Sequence, residues 1–131
     1  MQRIDMRYEM YGFLLDGKIL FDIGNRKILH YSFEEPDLPI FIKVVSLNET
    51  QARLLRFLLM NRNVPVIERT DIMQCVWDVW NLSSSNQRLW QSINSLRKKL
   101  ASFGLSDDLI KNVHGMGYSV DETRVLSLVI K

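Results

Sequence analysis

From about residue 50 to residue 102, apolar side chains recur at the three-to-four-residue spacing of helices that bury one face. A first helix is predicted from Thr50 to about Asn61, with Asn48 as its N-cap. A second is predicted from Glu68 to about Trp80 and a third from Gln87 to about Ser102. The side chains predicted to be buried are, helix by helix, Leu54, Leu55, Leu58 and Leu59; Ile72, Met73, Val76 and Trp77; and Leu89, Ile93, Leu96 and Leu100.

Before residue 46 the pattern changes to short apolar runs separated by turn signals. Asp16-Gly17 and Gly24-Asn25 favour hairpin turns, because these residue types adopt positive φ angles at low cost. A proline-containing acidic loop is predicted at residues 34–39. The predicted strands are Tyr11–Leu15, Lys18–Ile23, Lys27–Phe33 and Ile40–Val45. They form a four-stranded antiparallel sheet that needs a helical layer on one face.

A further hairpin is predicted after the third helix, from Leu109–Val113 and Tyr118–Val120 around a turn with two glycines. The order of sheet, three helices and hairpin predicts an α+β fold, a winged helix-turn-helix whose third helix enters the DNA major groove. Residues 1–46 are then the sheet, residues 47–120 the winged helix and residues 121–131 a C-terminal extension. In that extension Val125–Ile130 has two interpretations, one more strand or a dimer contact.

Length and charge narrow the class of protein without identifying a partner. The 131 residues are 47% hydrophobic, which fits one globular domain and excludes a disordered chain. No apolar run approaches the roughly 20 residues of a membrane span, and Arg3, Asp5, Arg7 and Glu9 interrupt any signal sequence. The single Cys75 excludes an intrachain disulfide and fits a reducing compartment, so a cytoplasmic protein is expected. With a net charge of +2, binding to nucleic acid requires a local concentration of positive charge.

The third predicted helix is where that positive charge concentrates. Ser83–Ser102 contains four cations and no acid, whereas acidic residues cluster in the loop at 34–37. On its outward face, Gln91 and Asn94 have amides that can read base edges, and the cations could meet phosphates. The partner is therefore predicted to be double-stranded DNA. The predicted DNA-binding residues are Arg88, Gln91, Asn94, Ser95, Arg97 and Lys98, with His114 in the hairpin turn and Lys99 as a further candidate for phosphate contact.

Other conspicuous residues have a plainer interpretation. Trp90 is predicted to be a partly buried packing residue, with an exposed aromatic that contacts a DNA sugar or a protein partner as the alternative. If Trp90 were exposed in a neutral apolar patch, it would favour a module that docks another regulator or RNA polymerase. Cys75 is predicted to be a buried small hydrophobe and Trp77 a core residue. Trp80 is predicted to pack, with contact to a partner as the alternative. The two histidines have no neighbours at ligand spacing, so no metal site is predicted. No nucleophile–base grouping or phosphate-binding loop suggests an enzyme or a cofactor.

Several short sequence motifs follow one another along the predicted helices and hairpin. They are Leu54-Leu55, Arg69, Val76-Trp77, Ile93 with Leu96-Arg97-Lys98-Lys99-Leu100, and Val113-x-Gly115-x-Gly117-Tyr118. With them, Leu47–Val120 resembles the OmpR/PhoB-type winged-helix DNA-binding domain of bacterial transcription regulators. The third helix is similar to the CadC/ToxR-like branch through Leu89-x-x-Ser92-Ile93-x-x-Leu96-Arg97. The resemblance implies a DNA-binding transcription regulator with a four-stranded sheet before its helices.

The chain also departs from the family pattern. Many members carry Asp at the position of Trp90, and Arg or Lys in the wing where this chain has His114 and Met116. Fewer phosphate contacts are therefore expected. Glu68 stands where Ser or Thr usually caps the second helix. One recognition helix per domain implies that useful specificity comes from a dimer or from tandem sites, so a homodimer is a candidate partner state. RNA polymerase or a co-regulator is a further candidate partner. The expected location is the nucleoid, with an inner-membrane tether only if the natural chain continues beyond Lys131.

Overall fold

The computed structural model describes residues 8–32, 36–105 and 107–131, and these contain eight strands and three α-helices. The strands are β1 (Glu9–Leu15), β2 (Ile19–Asp22), β3 (Lys27–Ser32), β4 (Phe41–Ser46), β5 (Ile67–Glu68), β6 (Ile110–Val113), β7 (Gly117–Val120) and β8 (Val125–Ile130). The helices are α1 (Glu49–Met60), α2 (Arg69–Val76) and α3 (Asn86–Ala101). The predicted strand end at Phe33, the acids Glu34 and Glu35, and Arg3, Asp5 and Arg7 lie outside the described residues.

The larger sheet has five antiparallel strands in the order β4-β3-β2-β1-β8. Its first four are the predicted ones, and the fifth is β8, so Val125–Ile130 forms a strand that pairs with β1. Asp16 and Gly17 both have positive φ angles, 52° and 70°, as the predicted hairpin requires. Asp16 also accepts two hydrogen bonds from the Arg124 guanidinium, at 2.6 and 2.7 Å, which hold the hairpin against the turn before β8.

The core lies between this sheet and the helices. The sheet contributes Phe13, Leu15, Ile19, Phe21 and Ile28, each fully buried. The buried stripes predicted for α1 and α3 are confirmed, and in α2 Ile72 and Val76 are buried, as is Trp77 just after it, while Met73 is half-buried. One continuous apolar cluster therefore joins the sheet to all three helices.

Local signals account for the helix boundaries. The Asn48 side chain accepts a hydrogen bond from Gln51 N at 2.8 Å, and the Gln51 side chain accepts one from Asn48 N at 3.0 Å, so the predicted cap of α1 is a capping box. Glu68 makes no side-chain cap hydrogen bond to α2, as its residue type suggested. α2 is shorter than predicted because the chain tightens into a 3-10 turn at Asp78–Trp80 and then reverses at Asn81, where φ is 58°.

The predicted wing is present as the hairpin β6–β7, and β5 adds a third strand beside β7. Gly115 in the turn has a φ of 73°. Gly117 lies against β5, where a Cβ atom would stand 2.0 Å from the Ile67 carbonyl oxygen. These two glycines of the family pattern therefore have different roles, a turn conformation and a close strand approach.

Two expectations about α2 and the turn that follows it need correction. Cys75 is exposed, so the prediction of a buried cysteine is wrong. The reason is that it shares its helical stripe with exposed Asp71, one position away from the buried Ile72–Val76 stripe. Trp80 is 57% exposed, although the Arg53 guanidinium lies 4.7 Å from the centre of its ring. In the described parts of the chain, every helix is too short or too polar to cross a membrane.

Candidate nucleic-acid interface

α3 is fixed at its start by Ser85, whose hydroxyl accepts a hydrogen bond from Arg88 N at 3.1 Å. Its buried stripe packs into the core, which orients the opposite side outward. Arg88, Gln91 and Lys98 are exposed on that outward side, and Asn94 is half-buried. The acid-free surface predicted from the sequence is therefore available to a partner.

An open groove runs between α3 and β6, and we call it the wing groove. Its lining residues are Trp90, Gln91, Asn94, Ser95, Arg97, Lys98 and Ala101 of α3 and Ile110, Lys111 and Asn112 of β6. Five of the seven predicted DNA-binding residues meet here. Three cations and no acid stand among these described lining residues, so the groove is a site of positive potential.

The other two predicted residues lie beyond the wing groove. His114 is exposed in the wing turn and lines a smaller depression with Arg69, Trp90 and Met116. Arg88 lies in the first turn of α3, where its Nη1 donates to the Ser83 carbonyl at 2.7 Å. The depression that contains His114 adjoins the wing groove through Trp90, whereas Arg88 lies at the start of α3 and lines neither depression.

Arg97 joins α3 to the wing. Its Nη2 donates to the Ile110 carbonyl at 2.6 Å and to Asn112 Oδ1 at 2.8 Å, and its guanidinium carbon lies 5.8 Å from the centre of the Tyr118 ring. Nε is buried with no hydrogen-bond partner among the described residues. Burial raises the pKa of the Tyr118 hydroxyl, and the charges of Arg97 and Arg69 oppose that rise. The structure thus gives Arg97 a positioning role that its sequence position alone did not indicate.

A second set of polar contacts attaches α3 to the start of α1. Lys99 Nζ donates to the Ser46 carbonyl at 2.9 Å and to Gln51 Oε1 at 2.7 Å, while Gln51 Nε2 donates to Ser95 Oγ at 2.7 Å. Lys43 Nζ donates to the Ser102 carbonyl at the end of the helix. The Lys99 ammonium therefore stabilises the packing of α3 and does not belong to the outward surface. Ser95 lines the wing groove but already accepts one hydrogen bond.

Sequence reasoning misjudged one residue of this surface and missed three others. Trp90 is 60% exposed and lines both depressions, so the favoured prediction of a partly buried packing residue is wrong. It follows Leu89 by one position, which turns it about 100° away from the buried stripe. Lys111 and Asn112 face the wing groove from β6. Arg69 donates from Nη2 to the Gly115 carbonyl at 3.1 Å and so holds the wing turn against α2. Lys111 could have been identified from the sequence, because it is a cation that lies in the predicted hairpin.

The fold defines a winged-helix domain, and the wing groove gives it a basic surface. A family profile described as "Transcriptional regulatory protein, C terminal" matches residues 43–120. The chain belongs to that family, which confirms the resemblance, and it is a DNA-binding transcriptional regulator.

Two solved structures share the fold. The DNA-binding domain of E. coli CadC is 21% identical, with a TM-score of 0.66 over 92% of this chain and 100% of that one. The DNA-binding domain of the response regulator AdeR, solved in complex with an intercistronic region, is 20% identical, with a TM-score of 0.58 over 79% of this chain and 94% of that one. No curated protein sequence matches the chain.

Proposed function

We propose that α3 enters the major groove of double-stranded DNA while the wing contacts the flanking backbone or the minor groove. The observation that carries this proposal is the wing groove, which is open, contains three cations and has no acid among its described lining residues. An α-helix fits the major groove of B-DNA, and positive potential attracts the phosphates on either side.

The exposed side chains divide by chemistry. Gln91 and Asn94 present amides, which can form paired hydrogen bonds with an adenine edge. Lys98 and Arg88 present cations at the outward surface, where phosphates flank an inserted helix. Arg97 keeps Nη1 without a hydrogen-bond partner among the described residues while Nη2 holds the wing. It can therefore position the wing and attract a phosphate at once.

The remaining candidates supplement these contacts. The Ser95 hydroxyl still has a proton to donate toward a phosphate, and His114 lies where a wing meets the backbone or the minor groove. We add Lys111 and Asn112 as wing-side contacts. The planar Trp90 ring, which lines both the wing groove and the depression at the wing turn, is suited to pack against a deoxyribose.

A salt titration of binding to duplex DNA tests the proposal. Fluorescence anisotropy with a labelled duplex should give an association constant that falls as salt rises, because bound cations release counterions from DNA. Lys98→Ala should weaken binding to every sequence alike and should reduce the slope of log K against log salt by about 0.9, the contribution of one phosphate contact.

Lys18→Ala is the matched control, since Lys18 is equally exposed but lies in the turn between β1 and β2. It should leave both affinity and slope unchanged. Absence of binding at low salt, or an affinity that does not respond to salt, would contradict the proposal. An equal loss in both variants would show that general charge, rather than the α3 surface, governs binding.

The competing interpretation, a module that only docks proteins, required Trp90 in a neutral apolar patch. Its surroundings are instead cationic, with Arg97, Lys98 and Lys111 around the same groove, so this interpretation is not favoured. The family consists of transcription regulators and is not an enzyme class. We therefore expect no catalytic activity and no cofactor. Action on the chromosome in the cytoplasm, and contact with RNA polymerase or a co-regulator, remain predictions.

A further inference from the structure

The outer face of the five-stranded sheet, turned away from the helices, carries an apolar row across its whole width, with exposed Lys18 and Lys27 at the rim of the same face. The pairing register places Val44 opposite Leu29, Leu29 opposite Leu20, Leu20 opposite Leu14, and Leu14 opposite Leu126. One row of five aliphatic side chains thus crosses all five strands, and we call it the outer row. Its neighbours in sequence, such as Phe13, Phe21 and Ile28, point to the core.

The same face extends beyond the outer row at both ends. Tyr31 and Ile42 form the next cross-strand pair on β3 and β4, and both are more than 60% exposed. Leu126, on the opposite edge strand, is 61% exposed, and its neighbour on this face, Leu128, is half-buried. An antiparallel sheet with one buried face normally has polar residues on the other. Among the described elements, the helices all lie on the inner face.

We propose that this outer face binds the same face of a second copy of the chain. The outer row with Tyr31 and Ile42 contains no charged residue, which matches homodimer interfaces, whereas transient interfaces with other proteins are about as polar as the rest of the surface. A two-fold dimer also requires a self-complementary patch. Two twisted sheets satisfy that requirement when they pack face to face about 10 Å apart with their side chains interdigitated.

The size of the face fits such a dimer. Four gaps of about 4.8 Å between strands about 20 Å long give a plane on the order of 400 Å². Side-chain relief and the rim of the sheet raise the accessible area toward the roughly 800 Å² that each partner contributes to a standard interface. Left in water, the face would fall within the range of the largest apolar patches on monomers, roughly 300–600 Å², and such patches are often functional.

The dimer leaves the DNA-binding surface free. The outer row and the wing groove share no residue. The core separates them, because the inner face of the sheet and the buried stripe of α3 both belong to it. The dimer therefore carries two wing grooves. Its formation needs no DNA, so it can be tested separately from the proposed function.

Sedimentation velocity of the whole chain without DNA, from about 1 to about 200 μM, tests the inference because dimers gain population with concentration. The wild-type chain should shift from monomer to dimer. Leu126→Lys and Ile42→Lys should each raise the dimer dissociation constant at least about tenfold, since each dimer would bury two unpaired ammonium groups. Both side chains are more than 60% exposed, so the monomer should keep its circular dichroism spectrum and melting temperature.

Val79→Lys is the matched control, because Val79 is also 61% exposed but lies in the turn after α2. It should dimerise like the wild type. The inference is overturned if the wild-type chain stays monomeric at every concentration, which is the result expected if the outer face binds a different protein. A Leu126→Lys variant that dimerises normally also overturns it. Leu126→Lys should still bind a duplex with a single site at wild-type affinity, which separates loss of the dimer from loss of DNA binding.

Discussion

At the scale of single residues, the four cations of α3 fall into two pairs with different structural roles. Arg97 and Lys99 are half-buried and donate hydrogen bonds to other elements, the wing and the segment before α1. Arg88 and Lys98 are exposed, and the Arg88 side chain donates to Ser83, just before its own helix. The sequence identified the acid-free helix but could not divide its cations, because a long side chain at the edge of a helical face can reach either solvent or a neighbouring element. That choice depends on where the neighbouring carbonyl groups lie.

Base selectivity should depend on Gln91, which lines the wing groove, more than on Gln87, which does not. Gln91→Ala removes an amide from the wing groove and should relax sequence preference at one or two positions, with a smaller effect on general affinity. Selection of bound duplexes from a random pool measures this. Gln87→Ala is the control, because Gln87 is exposed on the same helix but does not line the wing groove. Base readout by Gln91 is contradicted if both variants select the same DNA sequence as the wild-type protein.

Gly117 should be the glycine of the wing that tolerates a side chain least. In Gly117→Ala the new Cβ would stand 2.0 Å from the Ile67 carbonyl oxygen, so β5 must move away from β7. We expect the free energy of unfolding to fall by about 3 kcal/mol, as overpacking of a backbone contact does. Urea unfolding measures it. Gly24→Ala, whose nearest atom would be 3.8 Å away, should change stability far less. Equal effects would contradict the close approach.

At the scale of elements, the Asp16–Arg124 pair should make the sheet sensitive to acid. The Arg124 hydrogen bonds hold the pKa of the Asp16 carboxyl below its usual range. A folded-state pKa below the unfolded value, about 3.9, means that the stabilisation is present above that pH and is lost as pH falls through the folded pKa. Asp16→Asn keeps a residue that tolerates the φ of 52° and should cost about 1 kcal/mol at pH 7.

Urea unfolding of wild type and variant between pH 7 and about pH 2 measures this difference. The two curves should converge at the acid end, where the wild-type carboxyl is also protonated. Arg124→Gln removes the other partner and should abolish the same pH-dependent part. A wild-type advantage that persists unchanged at the lowest pH would contradict an ionic origin.

The elements that the sequence predicted are those whose signals are local. The Asp16-Gly17 turn, the Asn48 cap and the aliphatic stripe of α1 each lie within a few residues, and each is present. The assignment of β8 stayed open because its partner, β1, lies at the other end of the sequence. Helical periodicity places Trp90 at the edge of the buried stripe, but whether the wing covers a residue at that edge depends on where the wing lies.

At the scale of the whole molecule, a net charge of +2 describes no part of the surface well. The wing groove gathers Arg97, Lys98 and Lys111, whereas the outer row is uncharged. The sequence predicted the first surface, because a run of cations without acids is visible along one helix. It did not predict the second, because the outer row is assembled from five strands and exists only once their register is known.

The pairing of β8 with β1 has a consequence for synthesis on the ribosome. The Asp16–Arg124 contact beside that pairing joins residues 108 positions apart. While the chain grows, β1 has no outer neighbour and exposes an unsatisfied edge until nearly all of the remaining domain has emerged. Contacts between residues so far apart in the sequence form slowly, and unpaired edge strands of a sheet are prone to aggregation. The last sheet contact to form during translation is thus one that also protects the first hairpin, and a pause in translation before Val125 would prolong the vulnerable state.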